Sequence, residues 1–294
     1  MESQATVEKA CPERSEGDKN LLYLYCLFKG MPQGHTPTAS LSSQKGIDGV
    51  NSVFVLCYQD LCALVSRVPT HAYNEQTLNR QIEDLEWLIP KANRHEEIVR
   101  YVMGVHPVIP VKFGTLYASR ERVLDVLCNG YDEFDAFLDF IRDKEEWGIK
   151  VYTDEGVDKT VGREGGLAPT NLLIEQLDKE IAAAPLGKAY LLQKKRENLL
   201  RQQSTGILNH LSNQLYQQML SYAVEGRRNK LLSKGATGKA VDMLLNAAFL
   251  LNKREVETFK EKVEALAATA EYDALSFEMS GPWPCYNFCP EFHI

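Results

Sequence analysis

The sequence predicts an α+β protein of two domains, and three observations support this prediction. The chain has 294 residues, about twice a typical domain length. Apolar residues make up 44% and charged residues 25%, which is the balance of a globular protein. Short, aromatic-rich segments alternate with longer segments of helical periodicity, and a Gly-rich charged stretch at 154–169 separates two such groups.

The N-terminal residues 1–20 are polar and acidic and contain no apolar core. We therefore expect a disordered tail rather than a signal peptide. The longest unbroken apolar run, Leu21 to Phe28, follows directly. It is far shorter than the roughly 20 residues of a membrane-spanning helix. Its aromatic content predicts a central strand that is covered on both faces.

The remainder of the N-terminal domain, residues 21–153, alternates between the two periodicities. A Pro- and Gly-rich surface loop is predicted at 30–49, followed by further strands at 53–58, 62–68, 108–113 and 147–152. Helices are predicted from Asn74 to Gly104, with an apolar stripe of Leu78, Ile82, Leu85 and Leu88 or Ile89 and a break or kink at Pro90. Further helices are predicted from the cap Ser119 to Asn129 and around 134–141. This order predicts an antiparallel sheet with helices on one face, a ferredoxin-like arrangement.

The C-terminal domain, residues 170–280, reads as a modified α+β domain after the linker at 154–169. Helical periodicity covers 173–184, 186–224 and 256–270. Strands are predicted at 227–232, 243–251 and 275–279, although the pattern of 243–251 fits a helix equally well. Residues 281–294 form a separate tail that is rich in proline and aromatic side chains.

Charge and cysteine content limit the classes of partner and compartment. The net charge of −7 argues against nucleic-acid binding, which depends on Lys and Arg. Acidic residues concentrate at 131–147 and basic residues at 185–239, which we interpret as solvated faces that point in different directions or that complement a neighbouring copy. The seven cysteines include no Cys-x-x-Cys pair, so we expect free thiols in a reducing cytoplasm.

The motif search predicts no catalytic, cofactor-binding or metal-binding residue. His95 stands beside two glutamates, which fits either a general base or, more simply, a solvent-facing cluster. Cys285, Cys289 and His293 are spaced too widely for a typical zinc site. Lys112 and Phe113 open a Lys-Phe-Gly-Thr segment that fits either an anion-binding loop or a turn requiring glycine.

In the tail, Trp283 lies between Pro282 and Pro284, and Tyr286 and Phe288 follow these prolines. Such a strip either folds back over the core or docks on a partner. Because three exposed aromatic rings favour aggregation, we expect the tail to fold back with Trp283 largely buried. These three residues, together with Lys112 and Phe113, are the candidate interaction residues.

Several motifs occur in an order that resembles the gas vesicle protein F/L family. They are a Leu-Tyr-x-Tyr strand, Glu86-Trp87-Leu88, Arg94-His95-Glu96, Val108 to Thr115, Glu146 to Val151, Asn246 to Leu250, and the Gly-Pro-Trp-Pro-x-Tyr-x-Phe segment from Gly281 to Phe288. The resemblance runs from Leu21 to Phe288, with Cys285 where the family commonly has proline. It implies two α+β domains, the first ferredoxin-like, in a non-enzymatic accessory protein of gas vesicle formation.

The same resemblance implies partners and a location. The partners would be the hydrophobic shell protein and other accessory proteins, with no cofactor, nucleic acid or lipid membrane. The location would be the gas vesicle within the cytoplasm, at the gas-facing side of the shell. An alternative from fold analogy alone is a small-molecule-binding sensor or enzyme that uses a cleft between two ferredoxin-like domains.

Overall fold

The structure is a computed structural model that describes residues 20–30, 44–153, 168–269, 272 and 274–290. It divides into two compact units, the first ending at Asp139 and the second spanning Phe140–Pro290. The predicted tail at 1–20 and linker at 154–169 lie outside the described residues, apart from Asn20, which begins a strand, and residues 168 and 169, which begin a helix. Both units combine antiparallel sheet with helices, so the predicted α+β class is confirmed.

The first unit contains a five-stranded sheet in the order β2-β3-β1-β4, with β5 paired to another part of β1. All of these pairs are antiparallel. The strands are β1 (Asn20–Lys29), β2 (Val53–Tyr58), β3 (Leu61–Pro69), β4 (Val108–Pro110) and β5 (Leu116–Tyr117). Residues 22–28 of β1 are buried without alternation, which confirms a central strand covered on both faces.

Helices of the first unit follow β3 and β5. They are α1 (Thr70–Tyr73), α2 (Glu75–Gln81), α3 (Leu85–Met103), α4 (Arg120–Asn129) and α5 (Tyr131–Ile141). The predicted cap at Ser119 is confirmed, because its side chain accepts a hydrogen bond from the Arg122 N–H. The ferredoxin-like description of this unit stays a prediction, since residues 31–43 between β1 and β2 lie outside the described part.

Of the break or kink predicted at Pro90, the break is not found. Pro90 lies inside α3, and the break comes earlier, where Asp84 caps α3 by accepting a hydrogen bond from the Glu86 N–H. The predicted apolar stripe is covered by the core only at Leu78, whereas Ile82 and Leu85 are 41% and 63% exposed. The core-facing side of α3 comes instead from its second half, at His95, Ile98, Val99 and Val102.

Two further predictions for the first unit need correction. The predicted surface loop at 30–49 does not lie wholly on the surface, because Ile47 is buried and packs in the core of the sheet. The strand predicted at 108–113 ends already at Pro110, as β4, and β5 at Leu116–Tyr117 was not predicted; the two strands pair with different parts of β1. Gly114, with φ of +86°, lies in the connection between them, so the turn interpretation of this segment fits its backbone.

The second unit contains a four-stranded antiparallel sheet in the order β7-β8-β6-β9. Its strands are β6 (Lys144–Thr153), β7 (Glu225–Arg228), β8 (Asp242–Asn252) and β9 (Leu275–Trp283). The predicted first domain ended at residue 153, but β6 pairs with β8 and β9 and therefore belongs to the second unit. The strand alternative for 243–251 is confirmed, and β7 is shorter and earlier than the predicted 227–232.

Helices of the second unit include one long hairpin. They are α6 (Ala168–Ala183), α7 (Leu186–Leu220), α8 (Lys234–Thr237) and α9 (Val256–Ala267), with a 3-10 turn at Lys253–Glu255. The last turns of α7, at Leu211, Leu215 and Met219, pack with α9 into the core of the second sheet. No helix in the described ranges combines the length and apolarity needed to cross a bilayer.

The cysteine prediction is wrong at one pair. Cys57 and Cys62 form a disulfide across the β2–β3 hairpin. The register of the hairpin sets the two residues directly opposite each other, which is the geometric reason they can bond. Cys26, Cys128, Cys285 and Cys289 are free thiols.

Candidate functional site

The C-terminal segment begins inside the sheet rather than after it. Strand β9 runs past the predicted end at residue 279 to Trp283, which pairs with Glu146 of β6. Gly281 has a φ of +146°, a conformation that favours glycine. A Cβ there would lie 2.9 Å from the Trp147 ring and 3.0 Å from the Glu146 carbonyl oxygen. The segment therefore reaches Trp283 along a path that leaves no room for a side chain.

The residues after β9 are fastened, that is, held in place by hydrogen bonds to a buried carboxylate. Glu146 is only 3% exposed, and one of its oxygens accepts a hydrogen bond from the Asn287 N–H at 3.0 Å. The other accepts one from the Asn287 side-chain amide at 2.6 Å. Charge-assisted bonds of this kind are stronger than neutral ones. Sequence reasoning missed both residues, because β6 also carries Lys144, Glu145 and Lys150 and no local pattern marks Glu146 as the buried charge.

The three aromatic residues of the tail have different environments. Phe288 is buried, so the predicted fold-back is found for this part of the segment. Tyr286 is exposed, and Trp283 is only half-buried, which corrects the expectation that Trp283 is largely buried. The Trp283 indole N–H donates to the Ser280 hydroxyl at 3.1 Å, so one ring edge is held while part of the ring faces solvent. In this segment Tyr286 is therefore the exposed aromatic residue and Trp283 a half-buried one.

The cysteines of this segment are protonated thiols. Burial, together with the neighbouring carboxylates of Glu146 and Glu145, raises the pKa of Cys285 to about 12. Burial also raises the pKa of Cys289, whose Sγ–H donates to the Cys285 carbonyl oxygen. Metal binding needs thiolates. Within the described ranges no group of three His, Cys, Asp or Glu side chains could hold a metal ion, and His293 lies outside them.

Lys112 and Phe113 belong to the first unit, at the turn between β4 and β5. Lys112 is exposed and Phe113 is half-buried. The Phe113 ring lies 6.1 Å from the ring of Tyr23 and 6.0 Å from that of His95, both edge-on. The next N–H, that of Gly114, donates to the Tyr23 hydroxyl at 3.0 Å. Phe113 therefore holds the turn against the core, and Lys112 is the part of the pair that faces solvent.

His95 is not solvent-facing, and this corrects the simpler interpretation of the His95 cluster. The ring is 4% exposed, and Nδ1 lies 2.9 Å from the Tyr23 hydroxyl. The same hydroxyl accepts a hydrogen bond from the Gly114 N–H, so His95, Tyr23 and the backbone at Gly114 form one buried polar chain. Burial lowers the pKa of His95 to about 4, so the imidazole is neutral near pH 7.

A second buried tyrosine continues this polar network. The Tyr25 hydroxyl accepts from the Ile47 N–H at 2.6 Å and lies 2.8 Å from the Ser66 hydroxyl. Lys91 donates to the Ile47 carbonyl oxygen at 2.8 Å. The network fixes the segment around Ile47 against β1 and β3. The sequence signal for it was a pair of tyrosines two residues apart in an apolar strand, which places both on one face.

The first unit also carries an open groove of about 360 Å³ beside this network. Its polar lining comes from Asp48, Asn51 and Lys91, and its aromatic lining from Tyr73 and Trp87. His95 does not line it. His106 is half-buried, its ring 5.3 Å from that of Phe28, and burial lowers its pKa. His95 is enclosed among the rings of Tyr23, Tyr25 and Phe113.

Some charges of the two predicted faces are used within their own units. In the acidic segment, Asp135 and Asp139 lie 2.5 and 2.8 Å from the Lys29 ammonium group. In the basic segment, Arg196 pairs with Asp178 of α6 at 2.5 Å. Part of the charge asymmetry therefore has a structural explanation inside each unit. The directions in which the two faces point relative to each other stay a prediction.

Comparison with known proteins gives similarity over most of the chain. Gas vesicle protein L of a Streptomyces strain is 25% identical over 237 residues, covering 80% of this chain and 82% of that protein. Gas vesicle protein L2 of Halobacterium salinarum is 23% identical over 279 residues, covering 92% and 91%.

Two solved structures share the fold. The crystal structure of GvpF from Anabaena sp. PCC7120 has a TM-score of 0.61 at 17% identity and covers 93% of this chain and 98% of that chain. GvpF from Microcystis aeruginosa has a TM-score of 0.60 at 18% identity and covers 91% and 98%.

The family described as "Gas vesicle synthesis protein GvpL/GvpF" matches residues 21–290. This range includes both sheets, the aromatic and histidine network and the fastened C-terminal segment. The motif resemblance found in the sequence is therefore confirmed, and the chain belongs to the GvpL/GvpF family of gas vesicle synthesis proteins.

Proposed function

We propose that this chain is a non-enzymatic accessory protein of gas vesicle formation that binds the hydrophobic shell protein and other accessory proteins. The observation that carries the proposal is the family match over residues 21–290. Its site of action is the gas vesicle within the cytoplasm, at the gas-facing side of the shell.

Trp283 and Tyr286 are the residues through which we propose that the shell protein is bound. Both rings are at least partly open to solvent, while the segment that carries them is fastened by Glu146 and Asn287. Aromatic side chains supply large contact area at low conformational cost. Because the backbone beneath them is already ordered, little further entropy is lost on binding. Lys112, exposed on its turn, is a separate candidate contact on the first unit.

A hydrophobic protein partner fits this surface better than nucleic acid does. The net charge of the chain is −7, and nucleic-acid affinity comes largely from the release of counterions by Lys and Arg. The proposal accordingly includes neither nucleic acid nor a lipid membrane as a partner.

Deletion of the gene in its host, followed by electron microscopy, tests the role in vesicle formation. We expect vesicles to be absent or misshapen, and to return when the wild-type gene is supplied in trans. Vesicles of normal number and shape in the deletion strain would show that the proposal is wrong.

A further inference from the structure

One exposed apolar patch lies at the junction of α2 and α3. Ile82, Leu85 and Ile89 are 41%, 63% and 53% exposed. Leu85 and Ile89 are one helical turn apart, so they lie on the same side of α3. The exposed glutamates Glu83 and Glu86 flank them. We call these five residues the acidic patch.

A second exposed apolar patch lies at the start of α7. Leu186, Tyr190 and Leu191 are 94%, 60% and 67% exposed. The exposed lysines Lys194 and Lys195 follow in the next turn, and the Lys194 ammonium group lies 5.2 Å from the centre of the Tyr190 ring. We call these five residues the basic patch.

Neither patch is explained by the packing of the unit that carries it. The core of the first unit takes Leu78 from α2 and the second half of α3. Among the described residues, the core around the second sheet takes Leu211, Leu215 and Met219 from the last turns of α7. In the described part of the chain, the ion pairs of the basic segment involve Arg196, Arg227, Lys234 and Lys239 rather than the lysines of the basic patch. Clustered exposed apolar side chains with a charged rim mark interaction sites.

We propose that the acidic patch of one copy of this chain binds the basic patch of a second copy. The apolar side chains of the two patches supply the buried area, and the rims of opposite charge supply orientation and discrimination. A partner with one sign of charge would match one patch and be repelled by the other, whereas a second copy matches both. This contact is heterologous, because it joins two different surfaces of the same protein. It goes beyond the proposed binding of the shell protein.

Charge reversal on one patch at a time tests the pairing. The first variant carries Glu83→Lys with Glu86→Lys, and the second carries Lys194→Glu with Lys195→Glu. We expect the mass of the wild-type chain, measured by analytical ultracentrifugation, to rise with concentration up to about 100 µM. Each variant alone should reach the same degree of association only at a concentration about tenfold higher. An equimolar mixture of the two variants should associate again. In the first variant both rims are basic and in the second both are acidic, so the two variants complement each other.

A matched control reverses Glu261 and Glu264, which are also exposed and three residues apart. This control should associate like the wild type, and all variants should keep the wild-type melting temperature. Raising the salt concentration to about 0.5 M should weaken the wild-type contact, since exposed charges are then screened within a few ångströms. A wild-type chain that stays monomeric throughout overturns the proposal, as does association that neither reversal weakens or that the mixture fails to restore.

Discussion

Glu146 and Asn287 are 141 residues apart in the chain, yet the Glu146 carboxylate accepts hydrogen bonds from both the backbone and the side chain of Asn287. The pair joins the start of strand β6 to the segment that follows β9. Since Glu146 is almost fully buried, its charge depends on these bonds in place of water. The pair therefore orders the segment that carries Trp283 and Tyr286.

Replacing Asn287 with alanine should lower the free energy of unfolding by about 1–3 kcal/mol, because the buried Glu146 carboxylate loses the side-chain amide donor and keeps only the backbone N–H of residue 287. Urea denaturation followed by circular dichroism measures the change. Asn198→Ala on the exposed side of α7 is the control and should change stability by less than about 0.5 kcal/mol. Equal effects of the two substitutions would mean that the Glu146–Asn287 bonds contribute nothing specific.

Phe288 and Tyr286 provide a test of which tail residues stabilise the fold. Phe288→Ala should cost about 3–5 kcal/mol, as expected for a buried aromatic side chain. Tyr286→Ala, at an exposed position, should cost about 1 kcal/mol or less, and Trp283→Ala should fall between them. Thermal unfolding of the three variants gives the ranking. If Tyr286→Ala proves as destabilising as Phe288→Ala, Tyr286 is a core residue rather than a docking residue.

Gly281→Ala should destabilise the second unit by about 1–3 kcal/mol, because the new Cβ meets the Trp147 ring at 2.9 Å and the positive φ disfavours alanine. Gly206→Ala is the matched control. Gly206 lies inside α7 with open space around its Cα, so alanine there should stabilise the helix by up to about 1 kcal/mol. Chemical denaturation of both variants should give shifts of opposite sign; shifts of the same sign would contradict the close packing at Gly281.

His95 should make stability depend on pH between about 4 and 6.5. Burial lowers its pKa from 6.5 to about 4 in the folded chain. In this window the unfolded chain binds a proton that the folded chain does not, so stability falls as the pH is lowered. The loss should reach about 3 kcal/mol near pH 4.

The variant His95→Asn tests this dependence, because asparagine can still accept the Tyr23 hydrogen bond but does not titrate. Its stability should fall less steeply than that of the wild type between pH 6.5 and 4. The control His210→Asn removes an exposed histidine and should keep the wild-type slope. Identical slopes for His95→Asn and the wild type would show that His95 is not the group responsible.

The sequence predicted the elements whose periodicity reflects burial. Strand β1 is buried on both faces, and its unbroken apolar run predicted this, whereas the apolar segment of β8 fitted a strand or a helix equally well. The cap at Ser119 was equally visible, because capping is decided by residues close in sequence. The stripe through Ile82 and Leu85 gave a wrong expectation about the core. Helical periodicity shows that a helix face is apolar, but it does not show whether the protein's own core covers that face.

The candidate site depended on contacts that no local pattern encodes. The assignment of β6 to the second sheet and the bonds between Glu146 and Asn287 join segments far apart in the chain. The same holds for His95, which looked exposed beside two glutamates but packs against Tyr23. The order of short motifs nevertheless predicted the family correctly, because it sampled the chain from Leu21 to Phe288.

The central claim is that Trp283 and Tyr286 bind the shell protein, and copurification tests it most directly. The tagged full-length chain is expressed together with the shell protein, and the amount retained per chain is measured. We predict that Trp283→Ala combined with Tyr286→Ala lowers retention by about tenfold or more, while the exposed-aromatic control Tyr222→Ala retains the wild-type amount. Undiminished retention by the double variant, or no retention by the wild type above the level of the tag alone, would contradict the claim.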